Sequence, residues 1–127
     1  MPELLVSASD LPSGFRYPEA FHTILAHGMT DFVPWYPLED NLLYAVYFGI
    51  NERYPRYGGL VPFARRQDND DVACLYAGKA GEVLIIHDYA SEGWELVARL
   101  PDIAAFLRLL VDDFIDFHDL GAARAKP

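Results

Sequence analysis

Residues 60–100 read LVPFARRQDNDDVACLYAGKAGEVLIIHDYASEGWELVARL. Four short runs, LVPFA, VACLYA, EVLII and WELVA, are rich in strand-forming residues. The stretches between them, RRQDNDD, GKAG and HDYASEG, carry the Gly, Asp, Asn and Ser that turns require. That spacing predicts an antiparallel meander. In VACLYA and EVLII both alternating faces are apolar, so these two runs should be central strands covered on both sides. The last run is more two-faced. Read as a strand, it puts Trp94, Leu96 and Ala98 on one side and Glu95, Val97 and Arg99 on the other.

Helices are expected on either flank of this sheet. Downstream, PDIAAFLRLLVDDFIDFHDLG places Ile103, Leu107, Leu110, Phe114 and Phe117 in one apolar stripe. Pro101 or Asp102 should open that helix and Gly121 should close it. Upstream, a helix is expected from about Pro18 to His27, with Phe21, Ile24 and Leu25 inward and Gly28 as its stop. FVPWYP interrupts regular structure through Pro34 and Pro37, and Trp35 and Tyr36 should pin it to the core. Residues 39–54 are ambiguous. Leu42, Leu43, Val46 and Ile50 fit a helix, yet LLYAVYFGI also suits a strand; helix is the preferred reading. The long C-terminal helix should cross one face of the sheet, and the early helices should cover the other face or its edge. The expected architecture is a single α+β domain with its core at about 11–120.

Composition narrows the function classes. The chain has 127 residues, 52% of them hydrophobic, which suits one domain with one core. No apolar run approaches the roughly 18–20 residues of a membrane span. The start MPELLVSASD lacks a basic n-region and a long apolar h-region, so no signal peptide is expected. The single cysteine, Cys74, leaves no internal disulfide framework. Cytoplasmic residence is the default expectation. The formal net charge is −9. Residues 68–119 hold twelve acids against three bases, and the tail GAARAKP is basic. Such a field repels nucleic acid and steers basic proteins inward, although acidity also serves plain solubility.

The motifs favour binding over catalysis. Asp68, Asn69, Asp70 and Asp71 sit between two expected strands, where such residues commonly make a turn. A calcium loop would need alternating oxygen ligands, a glycine at the sharp turn and a distal Glu, and these do not follow in register. His87 and Asp88 look like an acid–base couple with Ser91 nearby, but neighbours on a strand point to opposite faces. There is no GxSxG, HExxH or glycine-rich phosphate loop. His22 and His27 fall off a common helical face, and Cys74 reads as an inert core thiol. The C-terminal helix carries Asp112, Asp113, Asp116 and Asp119 in its second half, where acids oppose the helix dipole. Only Arg108 is spaced to compensate Asp112. These acids are either a solvated face or a surface in use.

LVPFARRQDNDDVACLYA followed by VLIIHDYASEGWE, and then an aromatic- and Leu-rich helix, resembles the SUKH superfamily. The similarity covers about residues 55–115; LPSGFRYPEAFHTILAHG and VPWYPL resemble the family's N-terminal helix and Pro-Trp segment more loosely. The matching positions are Pro62 and Phe63, Asp70 and Asp71, Cys74, His87 and Asp88, and Gly93 with Trp94. The resemblance implies an α+β fold with a mostly antiparallel sheet. It also implies a non-catalytic protein-binding role without a cofactor or metal. Many bacterial members are immunity proteins that neutralise a toxin domain, often a nuclease; others are regulatory adaptors. The candidate partner contacts are Asp68, Asp70, Asp71, His87, Asp88, Glu92, Trp94, Asp112, Asp113 and Asp116. The expected partner is a basic protein, a toxin domain in the leading reading, with no nucleic acid and no membrane. An enzyme built on His87, Asp88 and the Asp70–Asp71 turn is the third, weaker alternative.

Overall fold

The computed structural model describes residues 2–29 and 31–121. The basic tail residues Arg124 and Lys126 lie outside that range. The meander forms as its spacing requires. Strands β1 (Trp35–Pro37), β2 (Leu60–Arg66), β3 (Asp71–Tyr76), β4 (Val83–His87) and β5 (Leu96–Leu100) make one antiparallel sheet in the order β1-β2-β3-β4-β5. Val72 to Leu75 and Val83 to Ile86 are buried at every position, so β3 and β4 are covered on both faces. FVPWYP contributes the short edge strand β1, a position in a sheet where proline is tolerated. Its Val33–Pro34 peptide bond is cis. Pro62 is accommodated inside β2 because the register shifts between Pro62 and Ala64.

Three helices pack on this sheet: α1 (Glu19–Ala26), α2 (Asp40–Arg53) and α3 (Ile103–Phe117). Residues 39–54 are therefore helical. Leu43, Val46, Tyr47 and Ile50 are buried, whereas Leu42 points outward, one position off the inward face. Asn51 clamps α2 to the start of β2, donating to the Leu60 carbonyl and accepting from the Leu60 amide, both at 2.8 Å.

α1 takes a different place from the one expected. Phe21 packs edge-on against Phe63 at 5.1 Å, and Phe63 packs against Phe106 of α3 at 5.0 Å. Shared aromatic packing therefore draws α1 to the α3 face, leaving α2 to cover the other. Gly28, in the left-handed conformation, closes α1, with Met29 N–H reaching the Ile24 carbonyl.

Asp102 caps α3 by accepting from the Ala105 amide at 2.9 Å. The helix stops before Gly121 because Asp119 adopts the left-handed conformation, and Leu120 N–H bonds back to the Ile115 carbonyl. The buried stripe is Ile103, Phe106 and Leu110; Phe117 is exposed. Each fully buried side chain of this size contributes about 1.5–3 kcal/mol. Among the described residues no helix is long and apolar enough to cross a membrane.

Candidate functional site

The turns at one end of the sheet bring most of the candidate residues together. β2 ends and β3 begins at the Asp68–Asp71 turn, while β4 ends and β5 begins at residues 88–95. The Asp88 amide donates to the Asp70 carbonyl at 3.0 Å, which fastens one turn to the other.

The acidic knot is a turn. Asn69 Oδ1 accepts from the Asp71 amide at 2.8 Å, the side-chain-to-backbone bond that favours Asn in such loops. Arg66 forks onto Asp68 with two bonds of 2.8 Å and holds its carboxyl below the usual range. Arg65 reaches Asp70 at 3.5 Å. Asp71 and His87 are cross-strand partners, and His87 Nδ1 lies 2.7 Å from Asp71 Oδ1. His87 and Asp88 do not form a couple, because Asp88 turns the other way.

Two expectations about the acidic surface need correction. Asp88 is 3% exposed and is not a surface acid. Arg53, at the end of α2, forks onto it at 2.7 and 2.6 Å, and the Tyr89 amide donates to it at 2.9 Å. Asp113 is largely enclosed as well. It accepts from Trp35 Nε1 at 2.8 Å and from Arg66 Nη1 at 3.1 Å. Both carboxylates face inward because each answers a buried or half-buried donor that would otherwise lack a partner. Asp112, Asp116 and Glu92 are exposed; Glu92 and Asp112 have no ion-pair partner among the described residues.

The expected strand WELVA begins later than its sequence suggests. Trp94 lies in the loop before β5 and is 80% exposed, while Glu95 is 0% exposed. Ile85 pairs with Ala98 and Ile86 with Leu96, so Val97 is an extra residue in the register, while Leu96, Ala98 and Leu100 stay half-buried and Val97 and Arg99 exposed, as the alternation predicts. Glu95 accepts from Tyr57 at 2.6 Å, from the Gly93 amide at 2.8 Å and from Arg56. The Tyr57 bond, aided by the Gly93 amide and the Arg56 charge, lowers the Glu95 carboxyl to about 2.

The loop between β4 and β5 is thus held from beneath. Asp88 anchors its start, Glu95 its end, and Tyr54 donates to the Ala90 carbonyl at 3.0 Å in its middle. Tyr89 sits on this base at φ +66°, a conformation that costs a non-glycine residue about 1–2 kcal/mol. Its ring lies 4.2 Å from the Arg53 guanidinium and is 66% exposed.

Sequence reasoning missed Arg53, Arg56, Tyr57 and Glu95 as the supports of this loop. The available signal was SEGWE itself, a glycine-containing turn that displays an aromatic beside a carboxylate. Cys74 is fully buried, and burial pushes its thiol pKa up. Among the described residues no group of three or more His, Cys, Asp or Glu side chains is placed to hold a metal ion. Compared with family models, curated proteins and solved structures, the chain matches none.

Proposed function

We propose that this chain is a non-catalytic protein-binding module of the immunity type, which neutralises a basic toxin domain such as a nuclease by covering its active surface. The carrying observation is Trp94, 80% exposed on a loop whose two ends are fixed by buried carboxylates. An exposed Trp on a rigid support is a strong interface anchor, because little side-chain or backbone freedom remains to be lost on association. Tyr89 stands on the same loop as a second aromatic anchor. Glu92 is exposed on the loop itself, and Asp70, in the neighbouring turn, is bonded to its start through the Asp88 amide.

Charge supports a cationic partner. A nuclease that grips phosphates must present Lys and Arg, and an acidic surface speeds its encounter. The acids of the α3 half extend the same sign, joined to the loop end through Arg66, which bridges Asp68 and Asp113. Cys74 is inaccessible, and His87 stands half-exposed beside the Asp68–Asp71 turn, paired through Nδ1 with Asp71.

Co-expression tests the reading. The chain should restore growth of cells producing a cognate toxin domain, sought among the genes neighbouring its own, and Trp94→Ala should abolish that rescue at equal protein level. Rescue retained by Trp94→Ala would remove the loop from the mechanism, and no rescue by the native chain would reject the immunity role. Binding to a cellular protein unrelated to any toxin would make the module a regulatory adaptor.

A further inference from the structure

The end of α2 and the β4–β5 loop enclose an open cleft of about 570 Å³, lined by Glu52, Arg53, Tyr54, Tyr89, Ala90 and Glu92. Its charges are unequal in availability. Arg53 is already forked onto Asp88, so this pair contributes little net charge. Glu52 and Glu92 are exposed and have no ion-pair partner among the described residues. The cleft therefore presents two available carboxylates beside an aromatic ring.

Building on the reading of the chain as a protein-binding module, we propose that this cleft receives an arginine side chain of the partner, paired with Glu52 and Glu92 and packed against Tyr89. The chain carries an example of the same chemistry within the cleft. The Arg53 guanidinium lies 4.2 Å from the Tyr89 ring while forking onto a carboxylate. A planar guanidinium can stack and fork at once, which a lysine ammonium cannot. Tyr89 as a residue is 66% exposed, so surface remains beside Arg53 for a second cation.

The test is an amide chemical-shift titration of the isotope-labelled full chain with Nα-acetyl-arginine amide, using the neutral Nα-acetyl-citrulline amide as the shape control. The expected result is saturable shifts at Tyr54, Tyr89, Ala90 and Glu92 with the arginine compound. Shifts should be several-fold smaller with citrulline and lost in the Glu52→Gln, Glu92→Gln double variant. Both substitutions are at exposed positions, and an otherwise unchanged spectrum confirms the fold. Equal shifts with citrulline, or shifts that persist in the double variant, would overturn the proposal. Failure here is distinct from failure of the binding-module reading: a cognate partner bound equally well by native chain and double variant rejects the arginine cleft alone. Arginine binding in the cleft together with no growth rescue rejects the immunity role alone.

Discussion

Trp94 and Glu95 are adjacent in the chain and opposite in environment: the indole is 80% exposed, and the carboxylate beside it is 0% exposed. Glu95 ties the base of the loop to Tyr57 and Arg56, and Trp94 is displayed by that anchorage. Support and display can therefore be separated by mutation.

Trp94→Ala should leave stability within about 0.5 kcal/mol, the usual range for surface substitutions, while lowering partner affinity by about 2 kcal/mol or more. Urea denaturation and titration calorimetry measure the two quantities. Loss of both would mean that Trp94 supports the fold instead of displaying a contact.

Replacing Glu95 should do the reverse. Glu95→Ala removes the buried acceptor of Tyr57, the Gly93 amide and the half-exposed Arg56 and should cost about 1–3 kcal/mol in urea denaturation. A cost under about 0.5 kcal/mol, as at ordinary surface sites, would show that the cluster does not hold the loop.

Acid should reveal the same support. The Glu95 carboxyl lies at about 2 in the folded chain against an ordinary 4.5, and Asp68 is shifted the same way by Arg66. Depressed carboxylates bind fewer protons folded than unfolded. Their stabilisation is fully present above pH about 4.5 and is lost as pH falls towards 2. Glu95→Gln should be less stable at neutral pH and flatter across that window, so the two stability curves converge at the acid end. Parallel curves would contradict the assignment.

The acids of α3 should divide. Asp113→Asn weakens the links to Trp35 and Arg66 and should cost about 1–3 kcal/mol, the range for disturbing a buried hydrogen-bonded group. Asp112→Lys should leave stability nearly unchanged and slow association with a basic partner at low salt. Stopped-flow association and urea melts distinguish the two; equal effects on stability would erase the distinction between inward and outward carboxylates.

Local pattern carried the sheet and its two-sided burial, since VACLYA and EVLII are apolar at nearly every position. It carried α2, although the inward face was misplaced at Leu42. It could not carry the fate of the carboxylates. Asp88 and Arg53 are 35 residues apart, and Asp113 and Trp35 are 78 apart, so only the folded chain reveals those pairs. The inward side of β5, Leu96 and Ala98, was legible, whereas the later start of the strand at Leu96, which leaves Trp94 displayed and Glu95 buried in the preceding loop, was not. The α1 placement depended on the Phe21–Phe63–Phe106 contacts, which no periodicity in α1 encodes. At the site, the acidic turn and Trp94 were legible as residues, while the supports beneath the loop were not.

The most direct test of the central claim is calorimetric titration of the native chain and Trp94→Ala with catalytically disabled candidate toxin domains taken from neighbouring genes, repeated as salt rises. The account predicts a one-to-one complex with the native chain, weakening with salt, and a loss of about 2 kcal/mol or more with the variant. No complex with the native chain, or equal affinity for both proteins at every salt concentration, would contradict it.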